Sequence, residues 1–366
     1  LQMRLKELLS SIRAHPRERS FYVKAYLNEA LFNLLTPRKV IAYTFITSGT
    51  YLLYVRAKTN ETYRYRLDST RNISRMTGVV ANWTIPKPFR KFIFTKFSAA
   101  YGVNLDEIEE PDITTFNTFL EFFTRKIKPR PVDSDPQSVV SPADCKVLTF
   151  SEVTSNDVVI VKGVDYKLGE LLTGIPNYPL NLESMKRNKD NKLYQCILYL
   201  CPGDYHRFHS PAEMIVKQRN YIFGTLLPVK EDYALTGKMK YEKNERVSIF
   251  GDWNGGLISL VFVGALNVGS IDINFDPELK TNVSPPNPFE PSLVKSYKKR
   301  EELTTTFPKF EVQKQDPNGL IIAKGEEVGR FNLGSSIVML FEAHKDFKFD
   351  IKEGQYIRYG EVVGKQ

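Results

Sequence analysis

Apolar positions change their period along this chain. From residue 139 onward, strand-like runs of four to nine residues alternate with Gly, Pro, Asn and Asp turns. They fall at 146–150, 157–162, 194–201, 213–218, 246–250, 257–263, 269–274, 320–323, 336–341 and 356–363. That pattern predicts a mainly antiparallel β domain. Before it, helical spacing dominates. Phe89, Phe92, Ile93 and Phe97 share one face of a helix over 86–101 opened by Pro86, with Lys87, Arg90, Lys91 and Lys96 between them. A helix of this kind either lies on an anionic bilayer or packs on the domain. Residues 113–126 predict a second amphipathic helix, closed by Lys128-Pro129-Arg130-Pro131. Residues 1–39 read as helical and basic, 57–75 as a polar, arginine-rich linker, and 281–318 as a long surface excursion and the best candidate for disorder. The tail, with Gly354, Gly360 and Gly364 around short alternating strands, reads as a hairpin closing a barrel-like sandwich.

One run fits neither period. Residues 40–55 carry no charge, and Arg38, Lys39, Arg56 and Lys58 flank them. As a helix they span about 24 Å, against about 30 Å for a bilayer core. Tilt and basic flanks cover that mismatch, so a membrane-spanning or membrane-inserted helix is expected, with a buried core helix as the alternative. Basic residues on both sides leave its orientation open. The expected fold is therefore α+β. Membrane-associated helices occupy 1–75, with the candidate anchor at about 40–55 and then the linker, and a mainly antiparallel, barrel-like β sandwich forms the second domain over 76–366.

Composition narrows the partners. A chain of 366 residues, 42% hydrophobic and 25% charged, holds a sizeable core. A net charge of +9 suits an anionic partner: nucleic acid, acidic lipid or acidic protein. No zinc module or RNA-binding aromatic motif is present, so nucleic acid is not expected. Three cysteines make no disulfide framework. The chain opens on Leu1 rather than Met, so a preceding segment, any targeting peptide included, is expected.

The candidate chemistry lies in three short stretches. Two of the four histidines fall in Cys201-Pro202-Gly203-Asp204-Tyr205-His206-Arg207-Phe208-His209-Ser210-Pro211, a loop at a strand end. Without Cys-x-x-Cys or an apparent third ligand, a metal is not expected there. Two imidazoles in one loop can instead take separate acid and base roles. Ser141-Pro142-Ala143-Asp144-Cys145-Lys146 is a turn whose Asp144 either orients a histidine or closes an Asx-turn. Gly334-Ser335-Ser336 stands between a polar turn with Gly329 and the apolar run Ile337 to Phe341. Glycine permits unusual backbone conformations, so a strained peptide bond can be offered to the Ser335 hydroxyl. Alone, the same residues describe a turn at the head of a buried strand. Asp144, His209 and Ser335 have the composition of a serine hydrolase triad. However, there is no Gly-x-Ser-x-Gly elbow, no phosphate-binding loop, and 251–256 reads as a turn rather than a dinucleotide fingerprint.

Together these stretches resemble the phosphatidylserine decarboxylase family: Leu333-Gly334-Ser335-Ser336, the 204–211 loop and Ser141-Pro142-Ala143-Asp144. Further similarity lies in 121–129, 162–168, 244–247, 263–271 and 324–326, so the resemblance runs from about 75 to the end. It implies self-cleavage between 334 and 335. Ser335 attacks the Gly334 carbonyl with His209, oriented by Asp144, as base, and β-elimination then leaves chains 1–334 and 335–366. Ser335 becomes a covalent pyruvoyl cofactor that forms a Schiff base with phosphatidylserine, and His206 reprotonates the carbanion left by CO₂, giving phosphatidylethanolamine. The resemblance further implies phosphatidylserine in an anionic membrane as partner, and the mitochondrial inner membrane with the catalytic domain in the intermembrane space. A homo-oligomer stays open. Two departures are visible. Cys145 stands where the family usually has Gly, which would strain the turn if that residue required φ > 0. Ser336 replaces the usual Thr and keeps the hydroxyl. A silent lipid-binding scaffold on the same fold and a serine lipid hydrolase are the alternatives.

Overall fold

The apolar run Ile337 to Phe341 is too continuous for a strand with one wet face, and in the computed structural model it is the middle of a strand buried on both. The structure describes residues 63–160, 164–229, 241–267, 270–283, 292–298, 301–303 and 319–366. The basic segment 1–39 and the candidate anchor 40–55 lie outside the described residues. Among those described, no helix is long and apolar enough to cross a membrane.

In chain order the helices are α1 (Tyr63–Ala81), α2 (Lys87–Tyr101), α3 (Phe119–Phe123), α4 (Leu168–Thr173) and α5 (Leu182–Met185). The strands are β1 (Ser138–Val140), β2 (Cys145–Glu152), β3 (Asp157–Ile160), β4 (Val164–Lys167), β5 (Lys192–Leu200), β6 (Arg207–His209), β7 (Met214–Ile222), β8 (Arg246–Trp253) and β9 (Gly256–Gly264). They continue with β10 (Ile271–Ile273), β11 (Ser292–Lys298), β12 (Glu301–Leu303), β13 (Leu320–Ile322), β14 (Glu327–Phe331), β15 (Ser335–Ala343), β16 (Lys348–Phe349), β17 (Tyr356–Ile357) and β18 (Val362–Lys365).

A large antiparallel sheet runs β12-β11-β7-β8-β9-β15-β5-β2-β17, with β13 also on β7. β15 is interior to it, paired along its length with β5 and β9. Its side chains alternate between two cores. Ile337, Met339, Phe341 and Ala343 join one that contains Phe208, Phe262 and Phe331, while Val338 and Leu340 join another with Leu168, Leu171 and Leu257. A small sheet, β10-β14-β6, carries the histidine loop.

The α+β, mainly antiparallel reading holds, while four details differ. The tail does not form one hairpin: β17 pairs with β2, and β18 pairs with β1 and β16, so the described strands form sheets with free ends rather than a closed barrel. Residues 63–75 are helix α1, not linker. Ile73 is buried, and Arg71, almost fully buried, pairs with Glu245 at 2.8 Å, so polarity here reflects a buried ion pair. The predicted helix over 113–126 shrinks to a 3₁₀ turn, Ile113–Thr115, and α3. Thr118 breaks it by capping α3 with its side chain and bridging to Thr84. Within 281–318, β11 extends the large sheet by pairing with β7. Elsewhere the helix from Pro86 falls where expected, while of 251–256, read as a turn, only Asn254 and Gly255 turn, the rest belonging to β8 and β9.

Candidate active site

Ser335 opens β15 directly opposite Leu200 and Gly264. It lies on the face of the large apolar core, fully buried, and its hydroxyl has no hydrogen-bond partner. A buried orphan hydroxyl costs about 1–3 kcal/mol, so its persistence in a well-packed strand is a candidate functional feature. Ser336 points to the opposite face, where the Tyr241 hydroxyl reaches its Oγ at 3.5 Å. Of the two serines, only Ser335 has its oxygen uncommitted.

Backbone strain is present, but one residue earlier than the sequence suggests. Leu333 has φ +114°, a conformation L residues rarely adopt, whereas Gly334 is not among the residues with positive φ. A Cβ at Gly334 would meet nothing within 4 Å beyond its chain neighbours, so space is open beside its Cα. The flanks cannot relax the strain. Upstream, Phe331 N donates to His206 O and Asn332 N to Ser270 O, both at 2.9 Å; downstream, β15 is paired on both edges. Leu333 itself is held in an aromatic cluster with Phe94, Phe97, Phe122 and Phe123. Gly329 lies inside β14 rather than in a turn. A side chain there would collide with Asp272 O and the Phe208 ring.

The histidine loop folds against the same segment. His206 is fully buried, with the Phe123 ring 4.1 Å from its own. Its Nδ1 lies 2.8 Å from Asp204 O, which can only accept, so Nδ1 carries the proton and Nε2 a lone pair. That Nε2 is buried without a partner. Burial lowers the His206 pKa to about 3, so the ring is neutral at physiological pH. His209 is neutral in the same way: burial lowers its pKa, Nδ1–H donates to Gly325 O at 2.9 Å, and Nε2 takes the Tyr205 hydroxyl at 3.1 Å.

The structure brings the Asp144 turn beside His209, whose backbone N donates to Pro142 O at 2.7 Å. It does not form the expected Asp144–His209 hydrogen bond. Asp144 Oδ1 instead accepts from Arg130 Nη1 at 2.6 Å and from Tyr359 N at 3.0 Å. Tyr359 links the two, since its ring stacks on His209 at 4.2 Å. An arginine that competes for the carboxylate is a feature the motif does not display. Cys145 does not take positive φ, so the departure from Gly leaves the turn unstrained. Its buried thiol donates to Ala143 O at 3.4 Å. Asp204, Arg125 and Tyr356, which surround the His206 turn, were not singled out by the sequence. A burial-dependent role has no local signature. A surface pocket of about 420 Å³ lined in part by Arg125, Arg207 and Arg330 adjoins this loop, but neither Ser335 nor His206 forms its wall.

Similarity to known proteins extends over most of the chain. The family model described as phosphatidylserine decarboxylase matches residues 119–365. The mitochondrial phosphatidylserine decarboxylase proenzyme of Rattus norvegicus is 40% identical over 313 residues, covering 82% of this chain and 73% of that protein. The mitochondrial proenzyme 1 of Saccharomyces cerevisiae is 30% identical over 368 residues, covering 80% and 71%. The mitochondrial phosphatidylserine decarboxylase proenzyme of Caenorhabditis elegans is 34% identical over 292 residues, covering 79% and 70%.

Proposed function

The chain belongs to the phosphatidylserine decarboxylase family, and from that premise we propose that it is a proenzyme that cuts its own backbone at Gly334–Ser335 and then converts phosphatidylserine to phosphatidylethanolamine and CO₂. The observation that carries this reading is the unpartnered, fully buried Ser335 hydroxyl two residues after a leucine at φ +114°. Ser335 Oγ attacks the Gly334 carbonyl, its proton passes to a base, and the amide becomes an ester. In the β-elimination a base takes the Ser335 α-proton and the ester Oγ–Cβ bond breaks, releasing the Gly334 carboxylate on chain 1–334 and leaving a dehydroalanine at the start of chain 335–366; its hydrolysis consumes water and releases ammonia to give a pyruvoyl group.

A pyruvoyl group derived from Ser335 fits this site, because the residue sits in a dry strand end beside a histidine loop whose Nε2 is bare. What such a group supplies is an electron sink for the electrons left when CO₂ departs. The protein supplies proton transfer and exclusion of water. His206, neutral and protonated on Nδ1, can act first only as an acceptor at Nε2. The substrate ammonium has a proton to lose. His206 takes it and returns it to the carbon that lost its carboxylate, a contribution of about 10²–10⁴-fold. His209 serves the earlier cutting step, with Asp144 acting through Tyr359 and Tyr205 poised on Nε2. A second reading has His206 as base for both steps. It is favoured by the fact that His206 Nε2 is free while His209 Nε2 is occupied.

Ser335→Ala is expected to leave a single chain by intact mass. His206→Ala is expected to cut normally and release no CO₂. If it fails to cut, the second reading replaces the first. Access to lipid is supported by exposed Trp83, Phe89 and Phe92 beside exposed Lys87, Lys91 and Lys96, a face suited to an anionic bilayer. With the apolar run at 40–55 as anchor, the relatives' mitochondrial names extend here to the inner membrane, the catalytic domain facing the intermembrane space. Protease protection in intact mitochondria and mitoplasts tests that placement.

A further inference from the structure

The turn that leads into His206 is closed by a carboxylate that the proposed chemistry leaves unused. Asp204 N donates to Cys201 O at 2.9 Å, and Cys201 N donates back to Asp204 Oδ2 at 2.6 Å, so the turn is fastened twice by one residue. The other carboxylate oxygen, Oδ1, accepts from the Tyr356 hydroxyl at 3.0 Å. The Asp204 carbonyl accepts the His206 Nδ1 proton at 2.8 Å and also Arg125 Nη2 at 3.3 Å, while the same guanidinium nitrogen takes Gly203 O at 2.8 Å. One residue thus shapes the turn with its side chain and fixes the His206 tautomer with its main chain. It also spans the proposed cut, since Tyr356 belongs to 335–366 and Asp204 to 1–334.

We propose that Asp204 is a positioning residue whose ionised carboxylate holds the 201–204 turn in the form that keeps His206 Nε2 unprotonated and aimed for catalysis, making decarboxylation depend on the Asp204 charge. The inference rests on the decarboxylase reading and adds a group to it. An ionised carboxylate accepts from Cys201 N and Tyr356 Oη at once. A protonated one carries a hydrogen on one oxygen, which can no longer receive its donor in the same geometry. The turn then loses a fastening, and the carbonyl that grips Nδ1–H shifts with it.

Every element packed around Asp204 contributes to where that change falls. Burial is the largest influence and raises the carboxyl pKa to about 7; the hydrogen bonds from Cys201 N and Tyr356 oppose it, Asp144 raises it further, and Arg125 lowers it. Cys145, on the strand after the Asp144 turn, also faces this enclosure and is held as a neutral thiol by burial. Burial displaces both histidines downward, the opposite direction from Asp204, and His206 to about 3, well away from neutrality.

The test is the pH dependence of kcat for the full chain in detergent on phosphatidylserine mixed micelles, with cutting followed by mass on the same samples. For the wild type, kcat is expected to rise with unit slope to a plateau, breaking near pH 7. Tyr356→Phe removes a hydrogen bond from the ionised carboxylate at a half-exposed position, so the break moves to higher pH. Asp204→Asn mimics the neutral form. It is expected to cut, to lose the break, and to run at least about tenfold below the wild-type plateau, a loss in the range of general acid–base help. A uniform loss with the wild-type break retained in Asp204→Asn overturns the proposal, as does an unmoved break in Tyr356→Phe. If Asp204→Asn fails to fold, Tyr356→Phe decides alone. Failure of the underlying reading is distinct: the wild type itself would then release no CO₂.

Discussion

Replacing Leu333 by glycine separates the contribution of backbone strain from that of side-chain packing at the cut. Leu333 holds φ +114° because both flanks are pinned and its side chain sits among Phe94, Phe97, Phe122 and Phe123. A non-glycine residue in such a region stores about 1–3 kcal/mol. If the strain is relieved as the Gly334 carbon becomes tetrahedral, it lowers the barrier by the same amount, or about 5- to 150-fold in rate. Leu333→Gly removes the strain and the side chain together, while Leu333→Ala removes the side chain alone. Each loses burial worth about 2–5 kcal/mol of stability, so the comparison between them isolates φ. The assay is the time course of the 335–366 fragment, by mass, after refolding or cell-free synthesis. Leu333→Gly is expected to cut at least about fivefold more slowly than Leu333→Ala. Equal rates would show that the strain plays no part in cutting and that Leu333 serves only as packing.

Three further outcomes follow from the buried charges. Arg71→Met leaves the Glu245 carboxylate buried without its ion-pair partner and is expected to cost about 3–5 kcal/mol, read as a lowered Tm; adding Glu245→Gln should recover most of it. His206 has a folded-state pKa of about 3 against an ordinary 6.5, so it contributes stability that is present above pH 6.5 and lost as pH falls toward 3. The shift corresponds to roughly 5 kcal/mol, and His206→Gln should flatten the acid side of a Tm–pH curve measured on the uncut Ser335→Ala chain. Asp204 has the opposite sign: its raised pKa gives stability that is full below pH 3.8 and lost as pH rises through about 7, so Asp204→Asn should flatten the neutral side of the same curve.

The β domain was legible because its strands alternate or run continuously between clear turn residues. β15 and the β8–β9 hairpin lie close to their expected positions for that reason. α1 was not legible: its arginines look like solvent-facing charge, and nothing local reveals that Arg71 meets Glu245, far along the chain, in a buried pair. At the site, Ser335, His206 and His209 could be named from residue type and motif. Their states could not. Which Nε2 is free depends on Tyr205, and which carboxylate is engaged depends on Arg130; both are facts of tertiary packing. The strain also moved, from Gly334 to Leu333, because residue type signals where positive φ is tolerated and not where tethered flanks impose it.

Cutting a chain in the middle of its own core would ordinarily invite the pieces to part, and the sheet explains why the site survives. Ser335 is the first residue of a strand paired on both edges, so everything downstream of the cut already belongs to the large sheet. At the other end of β15 the fully buried Glu342 carboxylate accepts from Arg187 N, Asn188 N, Leu257 N and Asn191 Nδ2 at 2.7–3.0 Å, all from the larger piece. Two of the three short strands beyond extend this, β17 onto β2 and β18 onto β1. The backbone leading into the proposed cut carries the Leu333 strain, and that tie is the one the proposed reaction breaks. The proposed scission would therefore relax the backbone at Leu333, while the pairing of Ser336 onward with β5 and β9 holds the new chain end next to Leu200, where the His206 loop begins. On the proposed course the covalent changes are confined to residues 334 and 335, and the strand pairing downstream that the next reaction needs stays in place.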